Sequence, residues 1–281
     1  MTAGRCLCGD HRFRLEGELF FMHHCHCSRC RKSQGSAFST MVGAAPSGLE
    51  WVARGAEIRF PSSSAFSRIS CGRCGSPLPM GGDGMPIFVP AGLLEGDFGQ
   101  RPEMHLFAGD RASWVRIDDG LPAFEGFPPG MEDFEPLETR PPLDPPGGIR
   151  GSCLCGKIRF VLDGPSRLAR HCHCLRCQRA RGAACASNLI TDAGHLRWTA
   201  GGDLVHRYRL PEARLFRQDF CGSCGSAVPV VEPERGFAIV PLGALDDPPD
   251  VVPSERIHVG SRVPWHPIGD DLPCHAERAP R

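Results

Sequence analysis

No segment of this 281-residue sequence approaches the roughly 18 consecutive apolar residues that a membrane-spanning helix requires. Its opening, Met1-Thr2-Ala3-Gly4-Arg5-Cys6, has no apolar run of signal-peptide length, so the expectation is a cytoplasmic protein without a membrane partner. Neither sign of charge is in excess: 32 Lys and Arg face 32 Asp and Glu, and there is no basic tail. Nucleic acids are held through clustered positive charge, which disfavours them as partners. Oligomeric state is left open.

Cysteine, by contrast, is plentiful. In a reducing compartment thiols seldom form structural bridges, so 16 cysteines at short, repeated spacings read as metal ligands. The 34 Gly and 27 Pro suit many short strands joined by turns, and the length fits two ordinary domains, so the chain reads as mostly β.

The chain repeats itself. His24-Cys25-His26-Cys27-Ser28-Arg29-Cys30 returns 147 positions later as His171-Cys172-His173-Cys174-Leu175-Arg176-Cys177. Gly4-Arg5-Cys6-Leu7-Cys8-Gly9 returns as Gly151-Ser152-Cys153-Leu154-Cys155-Gly156, and Cys71-Gly72-Arg73-Cys74-Gly75-Ser76 as Cys221-Gly222-Ser223-Cys224-Gly225-Ser226. Period-two alternation predicts strands at 11–15 and 157–162, then at 38–42, 49–52, 57–60, 196–198 and 204–208, with late pairs at 86–90, 103–107, 237–241 and 256–259. Short polar runs ending at Gly35 and Gly182 predict a helical turn with a left-handed cap. Trp51 and Trp198 hold the 147-residue offset, and Pro90 to Trp114 matches Pro241 to Trp265 at 24 residues. These spacings divide the chain into a first domain, 1–140, a Pro-rich linker, 141–148, and a second domain, 149–281.

Seven cysteines per repeat separate into four and three. Cys6, Cys8, Cys71 and Cys74, with Cys153, Cys155, Cys221 and Cys224 in the second copy, would each close a tetrahedral structural zinc. Cys25, Cys27 and Cys30, with Cys172, Cys174 and Cys177, would hold a second zinc in each repeat and leave one corner for substrate, which distinguishes a catalytic site from a structural one. That totals up to four Zn²⁺ per chain, two structural and two open. The alternative is a corner filled by His23, His24 or His26, or by His171, His173 or Cys185. Strand alternation turns His24 and His26 away from the neighbouring sulfurs. Cys185 replaces Phe38 and reads either as a ligand or as core, and Cys274 stands where the first copy has Ala123.

A zinc already carrying three thiolates is a poor acid for activating water, and its expected guest is another thiol. Arg29, Arg31 and Lys32, or Arg176, Arg179 and Arg181, read either as contacts for the carboxylates of that guest or as a solvated surface balancing the thiolates. No general base stands out. His105 and His258 lie in late strands and read as core or as catalytic groups.

At these residues the chain resembles the glutathione-dependent formaldehyde-activating enzyme family, which also includes centromere protein V. The resemblance rests on the Cys-x-Cys-Gly openings, the three-cysteine segments ending in glycine, the Cys-x-x-Cys-Gly-Ser knuckles and the late strands leading to Pro-Trp. It implies two tandem zinc-stabilised β-tent domains, similar to methionine-R-sulfoxide reductases and Yippee-like proteins. It also implies a carbon–sulfur lyase in which glutathione completes the open zinc and adds to formaldehyde, giving S-(hydroxymethyl)glutathione. Glutathione is then substrate or cosubstrate, and the other reading is a scaffold or protein-interaction module with closed zincs. The first copy keeps Ser28, Arg31 and Lys32 but has Ser70 before the knuckle, while the second keeps Phe220 but has Leu175 and Gln178. The first copy is therefore favoured as the functional one.

Overall fold

Alternating side chains build the same sheets twice. Arg12–Leu15 buries Phe13 and Leu15 while exposing Arg12 and Arg14, and Arg159–Leu162 buries Phe160 and Leu162 together with Val161 between them. Each is the middle strand of a three-stranded antiparallel sheet, flanked by Thr2–Arg5 and Leu49–Ala53 in the first half and by Ile149–Ser152 and Leu196–Ala200 in the second. The computed structural model describes residues 1–63, 66–82, 84–131 and 147–279. The expected linker, as far as residue 146, lies outside them.

The three-cysteine motif ends the second strand of a five-stranded sheet. In the first half its order is Met104–Leu106, Leu19–Cys25, Ser39–Ala44, Met85–Pro90, Met80–Gly82; in the second it is Pro253–Ile257, Ser166–Cys172, Ala186–Asp192, Phe237–Pro241, Val230–Glu232. The edge strand pairs in parallel with the motif strand, setting His105 opposite His24 and Arg256 opposite His171. A hairpin completes each half, Glu57–Pro61 with Ser67–Cys71 and Val205–Arg209 with Arg217–Cys221. The chain is thus mostly β, in two similar sheet-rich halves. None of its described helices is long and apolar enough to cross a membrane.

The halves pack face to face and exchange their tails. Trp265, 1% exposed, lies in the core of the first half among Phe13, Met22, Val42 and Val89, while Trp114 packs against the second-half core of Phe160, Leu189 and Val240. The helices sit at this junction: α1 covers Ser28–Gln34 and α2 covers Leu175–Arg181, each ending in a left-handed glycine as the sequence predicts. Both glycines are needed for space as well as for φ. A Cβ at Gly182 would stand 2.6 Å from Pro77 Cγ and 2.7 Å from Pro90 Cβ of the other half, and one at Gly35 would stand 2.8 Å from Ala227 Cβ. Lys32 on α1 is buried against Asp246 at 2.8 Å, and the equivalent place on α2 pairs Arg179 with Glu95 at 3.1 Å.

Candidate metal centres and the cavity beside the second

The knuckle turns bring the four-cysteine groups together. Gly75 N–H donates to the Cys71 carbonyl and Cys71 N–H to that of Ser76, at 2.9 and 2.8 Å, and φ values of +72° at Gly75 and +73° at Gly225 make the reversal. The sulfurs of Cys6, Cys8, Cys71 and Cys74 all lie within 4.8 Å of one another, as do those of Cys153, Cys155, Cys221 and Cys224. Neighbouring separations are 3.5 Å (Cys6 to Cys8), 3.7 Å (Cys8 to Cys71), 3.4 Å (Cys153 to Cys155) and 3.9 Å (Cys155 to Cys221). A disulfide would need about 2.05 Å. A tetrahedral ion with Zn–S bonds of about 2.3 Å spaces its sulfurs about 3.8 Å apart, so these donors fit zinc. Backbone amides point at them from outside: His11 N–H at Cys6 Sγ (3.4 Å) and Ile158 N–H at Cys153 Sγ (3.3 Å). The hydroxyls of Ser76 and Ser226 lie 3.3 Å from Cys74 and Cys224.

The other two groups each sit where a strand runs into a helix. Cys27 caps α1, its sulfur accepting from Cys30 N–H at 3.5 Å, and Cys174 holds the corresponding place before α2. Cys25 and Cys27 are 3.6 Å apart through sulfur, Cys172 and Cys174 3.7 Å, and each trio lies within the same 4.8 Å limit with a metal-sized gap. Hydrogen bonding to Cys174, then burial, pushes Cys172 up to about 12, while bonds from Cys172 and Cys177 bring Cys174 down to about 2. A cation bound there would displace the remaining protons.

The surroundings of the two trios differ. In the first, the Arg68 guanidinium donates from Nη2 to Cys30 Sγ at 3.3 Å. Burial works against its charge, but the thiolates of Cys30 and Cys27 outweigh this and raise its pKa. Rings crowd alongside, with Phe21 4.7 Å from His23, His23 6.1 Å from Phe88 and Phe66 6.0 Å from Phe88. In the second, Arg170 stands for His23, Asn188 for Met41 and Gln218 for Arg68. There a cavity of about 290 Å³ opens onto Cys172 and Cys177, bordered by Arg181, Asn188, Gln218 and an apolar wall that includes Ile190, Phe216 and Ile239. Arg181 Nη1, Asn188 Oδ1 and Gln218 Nε2 are buried without hydrogen-bond partners. The sequence favours the first copy; the geometry weighs for the second.

The histidines occupy the opposite side of the motif strands, as alternation predicts. His24 Nδ1 meets Thr40 Oγ1 at 2.8 Å, His26 Nε2 meets His105 Nδ1 at 2.8 Å, and His105 Nε2 meets Asp119 at 3.0 Å. The second half repeats the layer with His171 on Ser187 (2.9 Å), His173 on Arg256 (3.2 Å) and Arg256 Nε on Asp270 (3.0 Å). Burial lowers His26, His171 and His173 to about 3, so they stay neutral. Cys185 belongs to this layer, its sulfur 3.9 Å from His171 Nδ1, outside the second trio. His23 stacks with Phe21 and bonds its carbonyl at 3.2 Å. His258 lies beyond the strand, in the place of Phe107, so the counterpart of His105 is Arg256. Cys274 is exposed and bridges to Arg256 as Ala123 does to His105.

The expected carboxylate contacts are engaged elsewhere in the first copy. Arg29 donates to the Ser62 carbonyl, Arg31 to those of His26 (3.2 Å) and Asp110 (3.4 Å), and Lys32 is committed to Asp246 across the interface. A buried ammonium already ion-paired to the other half is not available to a ligand, which corrects the expectation for Lys32. In the second copy Arg176 lies over Phe216 and Arg179 pairs with Glu95, leaving Arg181 toward the cavity. Arg68, Asn188 and Gln218 escape sequence reasoning because each stands alone in its strand. Setting Arg68 against Gln218, three positions before each knuckle, is the signal that marks them.

A family model described as glutathione-dependent formaldehyde-activating enzyme matches residues 1–110 and 148–261, one segment in each repeat. The comparison with curated proteins finds no match. Among solved structures, a crystal structure of a Rhodobacter sphaeroides protein is similar at 24% identity and a TM-score of 0.27, over 34% of this chain and 87% of that one. By a family match covering most of its length in two successive segments, the chain belongs to the glutathione-dependent formaldehyde-activating enzyme family.

Proposed function

We propose that this protein is a cytoplasmic zinc enzyme of the carbon–sulfur lyase type. It reversibly adds a thiol, glutathione or a similar one, to an aldehyde such as formaldehyde, working at the group formed by Cys172, Cys174 and Cys177. The observation that carries this reading is the cavity of about 290 Å³ meeting Cys172 and Cys177 and bordered by unpartnered polar atoms. Three cysteines would hold zinc there, and the two four-cysteine groups would hold structural zincs. Bound zinc supplies a positive centre that favours the thiolate form of an incoming thiol at neutral pH.

The rest follows from the chain. The cavity brings the thiol sulfur and the aldehyde carbon together. The sulfur lone pair forms the C–S bond, the C=O π pair moves to oxygen, and oxygen takes up the proton that the thiol released, so nothing is oxidised or reduced. Gln218 Nε2, 2% exposed as a residue and lacking a partner, is the donor for the developing oxyanion. In the first repeat, where Arg68 donates to Cys30 and offsets the charge of the thiolates, the other reading applies, a zinc that serves the scaffold.

Exchange of ¹³C-formaldehyde hydrate with its hydroxymethyl thiol adduct, followed by NMR, tests the proposal. The zinc-loaded protein should accelerate exchange at least about tenfold over free zinc, and Cys174→Ala should remove the acceleration. Equal rates with and without protein would contradict it.

A further inference from the structure

The cavity beside Cys172 and Cys177 has a charge pattern of its own. Three arginines border it, and two are already paired: Arg170 with Glu255 at 3.3 Å, and Arg217 with both oxygens of Asp219 at 2.8 Å and with Glu232 at 2.8 Å. Arg181 differs. It is 6% exposed, its Nη1 has no hydrogen-bond partner, and no carboxylate among the described residues is in ion-pair range of it. Burial brings its pKa down to about 10, which leaves it cationic at neutral pH. The opposite charges that act on it are the thiolate of Cys177, which a bound metal would engage, and Asp219, already committed to Arg217, so a carboxylate entering the cavity would supply the acceptor that its buried Nη1 lacks.

Position makes that anion part of the thiol. Arg181 follows Cys177 by four residues on α2, which puts the two side chains on one face one turn apart. The helix stops immediately afterwards, at Gly182, which is held between Pro77 and Pro90 of the other half and fixes the stem of Arg181. At the corresponding place in the first copy Gln34 reaches Met41 Sδ at 3.9 Å, so the unpaired cation belongs to the second copy.

The walls also say what the site lacks. Glutathione carries two carboxylates and an ammonium at neutral pH. Among the described residues lining the cavity there is one unpaired cation, and the carboxylates nearest the lining, Asp219, Glu232 and Glu255, are each neutralised by an arginine. The remaining surface is mainly apolar, with Ile190, Phe216, Val230 and Ile239, and Leu215 at 51% exposure where the cavity borders solvent. A volume of about 290 Å³ lies at the lower end for small-molecule pockets.

We infer that the second three-cysteine group takes a small thiol bearing one carboxylate and an apolar body, with the carboxylate on Arg181 and the sulfur toward Cys172 and Cys177, in preference to glutathione. This rests on the thiol-binding reading above and narrows the thiol.

The test is calorimetric titration of the zinc-loaded full chain with 2-mercapto-4-methylpentanoate, its uncharged amide, 4-methylpentanoate and glutathione. The mercapto acid should bind at least about tenfold more tightly than its amide or glutathione, since a desolvated charge-assisted hydrogen bond is commonly worth that factor. Arg181→Gln should abolish the difference between acid and amide while leaving amide binding in place. Should that variant not fold, the wild-type comparison of acid, amide and glutathione still decides. Equal binding of acid and amide, or tighter binding of glutathione, overturns the inference while thiol binding itself stands. Binding of 4-methylpentanoate as tight as that of the mercapto acid, or no binding of any thiol, overturns the inference together with the reading beneath it.

Discussion

Lys32 of the first repeat and Asp246 of the second form an ion pair of 2.8 Å in which the side chains are 3% and 4% exposed. The same ammonium donates to the carbonyls of Ser152 and Ala244 at 3.0 and 3.1 Å, so the α1 side of the interface is pinned at one point by several contacts. Removing one partner strands a buried charge. Lys32→Met should therefore lower stability by about 3–5 kcal/mol, and adding Asp246→Leu should restore most of the loss. Urea unfolding of the three proteins checks this, and a single-variant loss below about 1 kcal/mol would remove the pair from the account of docking.

Trp265 makes the two halves depend on one another, because it completes the core around Phe13, Met22 and Val42 from the far end of the chain. Trp265→Ala is expected to destabilise by about 3–5 kcal/mol. Hydrogen exchange distinguishes the exchanged tail from an ordinary core position: protection should fall first at the amides of Met22 and Val42, and later at Ala169 and Leu189 of the second half.

Local chemistry was legible in the sequence and long-range geometry was not. The Cys71 to Cys74 and Cys221 to Cys224 turns are set by neighbours in sequence, and Gly75 and Gly225 take the positive φ that the spacing demands. Equal spacing from Pro90 to Trp114 and from Pro241 to Trp265 revealed a repeated tail, but which core each Trp enters depends on packing between the halves. His105 and His258 look alike along the chain. Parallel pairing with the motif strands fixes the register two residues differently, setting Arg256 opposite His171. Choosing between the copies by conformity to the family segment pointed to the first, because Arg68 and Gln218 carry no motif and act only through where their strands bring them.

Metal removal should be felt as loss of structure. Each four-cysteine group ties the start of a repeat to its knuckle, and binding free energies of about 10 kcal/mol or more for such sites rival the net stability of a domain. Strong chelation at neutral pH is expected to unfold both halves, with refolding on return of zinc and about four ions taken up per chain. Circular dichroism and metal analysis of the same samples check both statements; retention of the β spectrum after complete metal loss would count against structural zinc.

His266 gives the fold a dependence on pH. Burial, then the nearby Arg256, lowers its pKa to about 4 from an ordinary value near 6.5, so the folded protein keeps it neutral where the unfolded chain would protonate it. Its contribution is fully present above about pH 6.5 and fades as pH falls toward 4. His266→Phe should therefore lose less stability than the wild type between pH 7 and pH 5, by about 2 kcal/mol. Parallel urea titrations at the two pH values measure the difference, and identical losses would contradict it.

The central claim is that the working group is Cys172, Cys174 and Cys177, open on the cavity side, rather than the equivalent group of the first repeat, where Arg68 donates to Cys30. The visible spectrum of the cobalt-substituted protein, recorded with and without a saturating thiol, tests this most directly. The account predicts a ligand-field change that survives Cys27→Ala and disappears in Cys174→Ala. A change lost in Cys27→Ala and kept in Cys174→Ala, or no change in the fully loaded wild type, would contradict it.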